Sequence, residues 1–95
     1  NKKNTVSNSQ YQVNIVKPES AEQSDEIADS LKDGMAVLLN LSLVNEDTAS
    51  NIYYFACGAA YALGGTMREI ADRIWIIVPR GVKFLENSDE QQTEE

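Results

Sequence analysis

Histidine is absent from this 95-residue sequence, and cysteine occurs once, at Cys57. Without histidine the chain can form neither a Ser-His or Cys-His catalytic pair nor a metal site with imidazole ligands. A single cysteine forms no internal disulfide and no CxxC site, which is typical of a reducing, cytoplasmic setting. Basic residues are also few, because eight Lys and Arg stand against fifteen Asp and Glu and give a net charge of −7. Since a nucleic-acid binder needs a basic face, we expect no nucleic-acid partner. Because the catalytic pairs and metal sites that need histidine are absent, we also expect no cofactor and no enzymatic activity.

The length and the apolar content of 42% predict one small domain with polar ends. Residues 1–10 and 86–95 are rich in Asn, Ser, Gln and Thr and lack apolar periodicity. We therefore predict a disordered linker remnant at 1–10, a core domain at 11–85 and a disordered acidic tail at 86–95. Such a tail is typical of a solvated end, with a partner-binding arm as the alternative. The start at Asn1 rather than methionine indicates a fragment or a processed product, and no apolar run is long enough for a membrane span.

Local signals divide the core into strands and helices. Ser20 with Gln23 forms a capping-box pattern, Asn45 is a helix-capping residue, and Gly34 and Gly64-Gly65 are helix stops. The predicted elements are a strand at Tyr11–Val16, a helix from Ser20 to Gly34, a strand at Met35–Leu41, a helix from Asn45 to Leu63, strands at Thr66–Ala71 and Arg73–Val78, and an optional edge strand at Val82–Leu85. This order, β-α-β-α-β-β-(β), predicts an α/β (α+β) two-layer sandwich of two helices on a mixed four- to five-stranded sheet.

The second predicted helix lacks the charged outer face that a surface helix normally has. One face of the helix is apolar and can cover a sheet; it carries Ala49, Ile52, Ala56, Ala59 and Leu63. The opposite face is uncharged and carries Ser50, Tyr54, Cys57, Gly58 and Tyr61. Two interpretations remain open: the helix is enclosed within its own domain, or a partner helix packs on it, most simply from a second copy. The second interpretation predicts a homodimer with Gly58 at a close helix contact.

The strand from Arg73 to Val78 is apolar on both faces. If the helices cover Ile74, Ile76 and Val78, then Trp75 and Ile77 lie on the bare face of the sheet, and Met67 of the neighbouring strand joins them. Exposed apolar groups of this size predict a contact surface for a partner. The alternative is that Trp75 points inward and belongs to the core, and the alternation does not decide between the two.

The remaining candidate groups are weaker. Cys57 lies among small apolar residues, where a packed, inert thiol is more typical than a nucleophile. Four basic residues near the last strands could receive an acidic peptide, or they could simply solvate the strand edges; they are Arg68, Arg73, Arg80 and Lys83.

Several blocks of the sequence together resemble the SepF family of cell-division proteins. The blocks are Asp25-Glu26-Ile27-Ala28-Asp29-Ser30-Leu31-Lys32, Ala36-Val37-Leu38-Leu39-Asn40-Leu41, Phe55-Ala56-Cys57-Gly58-Ala59-Ala60-Tyr61-Ala62-Leu63-Gly64-Gly65, and Ile74 to Pro79. The resemblance covers roughly residues 11–85, in order and with similar spacings.

This resemblance implies a cytoplasmic adaptor at the division septum, which tethers the tubulin-like protein FtsZ to the membrane. Members of the family reach the membrane through an N-terminal amphipathic helix that is not among these 95 residues. Their core domain dimerises, associates further and binds the C-terminal tail peptide of FtsZ. The partners implied for this chain are thus the FtsZ tail and a second copy of itself, with membrane contact only through that missing helix.

By position, the resemblance also assigns residues to these two roles. Gly58 and the turn at Gly64-Gly65 fall at places linked to self-association, which we therefore predict for Tyr54, Cys57, Gly58, Tyr61, Gly64 and Gly65. Trp75 replaces a family phenylalanine that is linked to partner binding, and Glu69 stands where the family often has a basic residue near the peptide. We predict that the partner peptide contacts Trp75, Ile77, Met67, Glu69 and Arg73.

A small-molecule-sensing dimeric α/β regulatory domain is the alternative function. It would need a concave pocket with convergent polar groups, for which the turn at Gly64-Gly65 is the only candidate in the sequence.

Overall fold

The computed structural model describes residues 12–85 and 87. Its elements are strand β1 (Val13–Val16), a 3-10 turn (Ala21–Ser24), helix α1 (Asp25–Lys32), strand β2 (Ala36–Asn40), helix α2 (Glu46–Leu63), strand β3 (Thr66–Ala71) and strand β4 (Ile74–Val78). Two helices therefore pack on a mixed sheet of four strands, as the element order predicts. The predicted disordered ends lie outside the described residues, apart from Asn87.

The sheet has the strand order β1-β2-β4-β3. β1 and β2 run parallel, with α1 as their crossover, whereas β4 pairs antiparallel with both β2 and β3. β3 and β4 form a hairpin at one edge, closed by a turn at Asp72 and Arg73. The most C-terminal strand of the sheet therefore lies at its centre, between β2 and its own hairpin partner.

Most of the predicted helix boundaries are confirmed by their local contacts. The Asn45 side chain accepts a hydrogen bond from the backbone N–H of Thr48 at 2.8 Å, which caps α2 at its N-terminus. Gly64 ends the same helix in the left-handed conformation, with φ of +79°. The capping box predicted at Ser20 is wrong, because its two hydrogen bonds are not formed. The Gln23 side chain accepts a hydrogen bond from the backbone N–H of Glu19 instead, and the Ser20 side chain makes no capping hydrogen bond.

The core lies between the two helices and one face of the sheet. The helices contribute Ile27, Leu31, Ile52 and Ala56 to it, and the strands contribute Val16, Val37, Leu39 and Ile77. On α2, Ala60 is buried where the sequence predicted Ala59. Trp75 packs partly buried against this core. Of the two alternatives that the alternation left open, the inward-facing Trp75 is the one observed, because β4 turns Trp75 and Ile77 toward the helices.

The other face of the sheet is open and apolar. Ile15 pairs with Leu38, which pairs with Ile76, so three aliphatic residues form a row across three strands. Ile15 at the edge is 60% exposed. Val13 and Ile15 of β1 are thus exposed, whereas Val16 is buried in the core and Asn14 faces α1, donating from its side-chain amide to the Ser30 hydroxyl at 2.8 Å.

The segment Val82–Leu85 forms no strand, contrary to the optional edge strand. It lies at the open face instead, where the Arg68 guanidinium is 5.0 Å from the centre of the Phe84 ring. Together with Ile70, Ile76 and Leu85, these two residues line a pocket of about 270 Å³ on that face.

Candidate functional site

An open pocket of about 300 Å³ lies between the first half of α2 and the β3–β4 hairpin. Nine residues line it: Leu41, Glu46, Ala49, Ser50, Tyr53, Tyr54, Glu69, Arg73 and Trp75. The helix supplies one wall, the hairpin supplies the other, and the end of β2 closes the floor. The pocket therefore occupies the sheet edge that α2 does not fully cover.

Strand register places the floor residues in a row. Leu39 of β2 pairs with Trp75 of β4, and Trp75 pairs with Glu69 of β3. Paired residues point to the same face of a sheet, so this row runs from the buried Leu39 to the exposed Glu69 on the helix side. Trp75 lies between them, with one part of its ring against the core and another in the pocket.

Three aromatic rings form the apolar surface of the pocket. The ring of Tyr53 lies 5.0 Å from that of Trp75, centroid to centroid, at an interplanar angle of 44°. Tyr53 also contacts the neighbouring Tyr54 ring edge to face, at 5.1 Å and 67°. Tilted and edge-to-face pairs at these distances are attractive beyond the area they bury. The three rings thus form a concave corner whose arrangement is fixed by mutual contact.

Polar contacts hold the hairpin turn against the loop that precedes α2. Arg73 has a left-handed φ of +62°, which is uncommon for a residue with a side chain. Its backbone N–H donates to a carboxylate oxygen of Glu69 at 3.1 Å, and its guanidinium donates to the backbone carbonyl of Val44 at 3.2 Å. These two bonds stabilise the strained turn and tie both walls of the pocket together.

Behind the aromatic corner, Tyr53 is connected to Cys57 and Met67. The pKa of the Tyr53 hydroxyl is raised above its ordinary value by its side-chain hydrogen bond with Cys57, by the electrostatic interaction with Cys57 and by burial, with Tyr54 and Glu69 adding to the effect. The Cys57 thiol lies 4.0 Å from the Met67 sulfur, to which it can donate. Tyr53 therefore contacts Cys57 within α2 and Trp75 of β4, and its neutral form is favoured.

The structure brings together three of the five residues predicted for partner binding. Trp75, Glu69 and Arg73 line the pocket, whereas Met67 lies just behind it against Cys57. Ile77 has no exposed surface. Its predicted place in a surface site is wrong, because the helices cover the face of β4 on which it lies.

The α2 side of the pocket was missed from the sequence. Tyr53 carries no charge and is adjacent in sequence to a residue of the apolar face of the helix. Its position in the helix therefore does not show whether its ring faces the core or the surface. The signal that could have found it is the Tyr53-Tyr54 pair itself, since adjacent residues on a helix point about 100° apart and only one of two such rings can face the core.

The residues predicted for self-association divide into an outer group and an inner one. Tyr54, Gly58 and Tyr61 lie on the outer face of α2, where Tyr54 is 69% exposed and Tyr61 90% exposed. A Cβ atom at Gly58 would meet nothing within 4 Å. Cys57 instead turns toward β3, so its predicted place on the outer face is wrong.

The turn at Gly64-Gly65 is closely packed within the domain itself. A Cβ atom at Gly64 would lie 2.6 Å from the centre of the Arg80 guanidinium, and one at Gly65 would lie 2.6 Å from the backbone oxygen of Val78. Internal packing against the backbone therefore requires a glycine at position 65, whereas Gly64 lies against a flexible side chain and is favoured by its left-handed φ of +79°. Beside this turn lies an open pocket of about 450 Å³, whose charged lining groups are Lys32 and Arg80 and whose other lining residues are Leu31, Gly34, Ala62, Leu63 and Pro79.

Three of the four basic residues near the last strands lie on separate surfaces. Arg68 stacks on Phe84 at the open face, Arg80 lies against Gly64, and Arg73 reaches Val44. Of the described residues, no three His, Cys, Asp or Glu side chains come together as metal ligands. No helix in the same part of the chain has the length and apolarity needed to cross a membrane.

Comparison with known proteins gives consistent matches. The family described as "Cell division protein SepF" matches residues 13–84. The SepF protein of Agathobacter rectalis is 40% identical over 74 residues, which cover 78% of this chain and 41% of that protein. The SepF protein of Alkaliphilus metalliredigens is 35% identical over 94 residues, covering 95% of this chain and 64% of that protein. The chain thus spans about half the length of the curated relatives it matches.

Solved structures share the fold. A SepF-like protein from Archaeoglobus fulgidus superposes with a TM-score of 0.72 at 18% identity, covering 80% of this chain and 94% of that one. SepF from Methanobrevibacter smithii, solved in complex with FtsZ-CTD, superposes with a TM-score of 0.63 at 18% identity, covering 80% of this chain and 99% of that one. The two-helix, four-stranded sandwich is thus the fold of these structures, and the sequence matches, which include the strands and helices that build the pocket, show that this chain belongs to the SepF family of cell-division proteins.

Proposed function

We propose that this domain is a cell-division adaptor that binds the C-terminal tail of FtsZ in the pocket between α2 and the β3–β4 hairpin. Through a membrane-binding helix elsewhere in the full-length protein, it would tether FtsZ filaments to the membrane at the septum. The observation that carries the proposal is the position of Trp75 in an open, aromatic-lined pocket of a SepF-family domain. The archaeal relative solved with FtsZ-CTD supports the choice of partner.

The pocket has the properties that short-peptide recognition needs. A tail peptide binds through a few apolar anchors and a small number of directional polar contacts. Trp75, Tyr53 and Tyr54 offer the apolar surface, and Glu69 offers a charged group beside it. Within residues 12–85, β3 is the edge strand of the sheet, so its outer edge offers backbone groups for hydrogen bonds with an extended peptide.

Titration of the FtsZ C-terminal peptide tests this proposal directly. Trp75 is the only tryptophan of the chain, so a change in its fluorescence reports binding at the pocket. We expect saturable quenching or a spectral shift with the FtsZ peptide, and none with a peptide of the same composition in scrambled order. If neither fluorescence nor calorimetry detects binding of the FtsZ peptide, the proposal is wrong.

We also propose that two copies associate through the outer face of α2. The sequence is uncharged from Thr48 to Met67, and the outer face of α2 presents Tyr54 and Tyr61 to solvent. The open space around Gly58 leaves the helix backbone accessible to a partner helix. The open apolar face of the sheet is the competing surface, and a variant on each face separates the two, as described in the Discussion.

A further inference from the structure

We propose that the pocket selects peptides that carry a cationic side chain, arginine or lysine, next to an apolar anchor, and that Glu69 together with the rings of Tyr53 and Tyr54 holds this cation. This inference rests on the proposed function, since it names the chemistry of the peptide that the pocket accepts. It concerns the specificity of the site rather than its position.

The charge balance of the pocket favours a cation. Two carboxylates line it, Glu46 and Glu69, against the single guanidinium of Arg73. α2 begins at the rim with a partial positive charge, which Glu46 and Asp47 in its first turn offset. The net charge of −7 on the whole chain adds an attractive long-range field for a basic peptide.

The guanidinium of Arg73 does not take the place of a ligand cation at the Glu69 carboxylate. Its guanidinium donates to the Val44 carbonyl, and its backbone N–H donates to one oxygen of Glu69. A carboxylate has room for about four hydrogen bonds, so one bond to Arg73 leaves Glu69 able to accept from a ligand. Arg73 therefore fixes the orientation of Glu69 while the guanidinium itself is turned to the loop.

The aromatic corner supplies the second half of a cation site. Rings tilted against each other, as Tyr53 is against Trp75 and Tyr54, expose electron-rich faces toward a shared space. A guanidinium or ammonium over such faces is attracted by the ring quadrupole, and the attraction grows when a carboxylate lies alongside. The aromatic rings and the neighbouring carboxylate are therefore expected to attract the same cation.

A matched pair of peptides isolates the cation from all other contacts. The probes are acetyl-Phe-Ala-Arg-amide and its twin with citrulline, which keeps the shape of arginine and removes its charge. Affinities are measured on the intact 95-residue chain by Trp75 fluorescence and by backbone amide shifts in NMR spectra. We expect the arginine peptide to bind about three- to tenfold more tightly than the citrulline peptide, as one exposed ion pair with cation–π contact supplies.

Three variants assign this preference to Glu69. Glu69→Gln keeps an oxygen that can accept from the Arg73 N–H but removes the charge, so the preference should fall to about one. Glu69→Lys should invert it. Asp29→Asn changes the net charge equally at an exposed position on α1 and should leave the preference unchanged. Equal binding of both peptides to the native chain, or a preference that survives in Glu69→Gln, overturns the inference.

The FtsZ peptide, run in the same experiment, separates this inference from the proposed function. If the arginine preference depends on Glu69 but the FtsZ peptide does not bind, the cation site stands and the proposed partner is wrong. If the FtsZ peptide binds the native chain and Glu69→Gln equally, and the two model peptides do not differ, the partner stands and the cation site is wrong.

Discussion

The rings of Tyr53 and Trp75 lie 5.0 Å apart and link α2 to the central strand β4 at the wall of the pocket. Trp75 therefore belongs to the core and to the candidate binding surface at once. A single substitution at this residue changes both stability and recognition, which determines how its role can be tested.

Trp75→Ala is expected to weaken FtsZ-tail binding at least tenfold, because it removes the largest apolar wall of the pocket. With Trp75 packed against the core, we expect the free energy of unfolding to fall as well, by about 3 kcal/mol. Urea unfolding gives the stability, and calorimetry with the FtsZ peptide gives the affinity.

Trp75→Phe is the matched control, since it keeps an aromatic ring next to Tyr53 and most of the core contact. We expect it to retain the fold and to lose only part of the affinity. If Trp75→Ala binds the FtsZ peptide as tightly as the native chain at a temperature where it is folded, Trp75 is not part of the site.

Gly58→Lys is expected to prevent the proposed association of two copies through α2 without unfolding the protomer. The position is open to solvent in the single chain, so a lysine meets no internal atom, but it would place bulk and charge in a helix–helix contact. Helix propensity favours the substitution, since glycine costs about 1 kcal/mol relative to other helix formers. Sedimentation equilibrium measures the association, and circular dichroism checks the fold.

Ile15→Glu is the corresponding variant on the open face of the sheet, where Ile15 is 60% exposed. If the copies associate through α2, Ile15→Glu remains a dimer and Gly58→Lys becomes a monomer. The reverse result assigns the interface to the sheet and contradicts the proposal for α2.

Local signals in the sequence predicted the elements well, because each depends on residues close in the chain. Asn45 caps α2 through a bond to Thr48, and Gly64 ends it with a left-handed φ, so both ends follow from side chains within one turn. The order of elements then limits the fold to two helices on a mixed sheet. The family relationship follows from the same conserved order of blocks.

The facing of β4 could not be predicted, because Ile74, Ile76 and Val78 are as apolar as Trp75 and Ile77. Period-2 alternation identifies the buried face only where the other face is polar. The pocket was only partly predicted for a related reason: Glu69 and Arg73 are distant from Tyr53 in sequence and meet only through strand register. Contacts of that kind depend on tertiary packing.

The two glycines after α2 are expected to differ in their tolerance of alanine. At Gly65 a Cβ atom would lie 2.6 Å from the Val78 backbone oxygen, which cannot move without disrupting β4, so Gly65→Ala should cost more than about 2 kcal/mol. At Gly64 the obstacle is the flexible Arg80 side chain, and the left-handed φ adds about 1 kcal/mol. Urea unfolding of each variant measures these costs.

Gly34→Ala is the control for backbone strain, because Gly34 has a similar φ of +83° with open space around it. Its cost should be the conformational part alone, about 1 kcal/mol. In an Arg80→Ala background, the cost of Gly64→Ala should fall to that of Gly34→Ala. Equal costs for Gly65→Ala and Gly34→Ala would show that the Val78 contact does not restrict the turn.

Tyr53 makes the stability of the domain depend on pH in the alkaline range. Its pKa is raised in the folded state, chiefly by the hydrogen bond with Cys57, so the folded chain holds the phenolic proton more tightly than the unfolded chain. The resulting stability is complete below the ordinary tyrosine pKa of about 10 and is lost as the pH rises through the folded value.

We therefore expect Tyr53→Phe to flatten the fall in thermal midpoint above about pH 10, whereas Tyr61→Phe, at a residue 90% exposed, should leave it unchanged. Absorbance at 295 nm should likewise show a late phenolic ionisation in the native chain that is lost in Tyr53→Phe; a late phase that persists in Tyr53→Phe would show that Tyr53 is not the perturbed group.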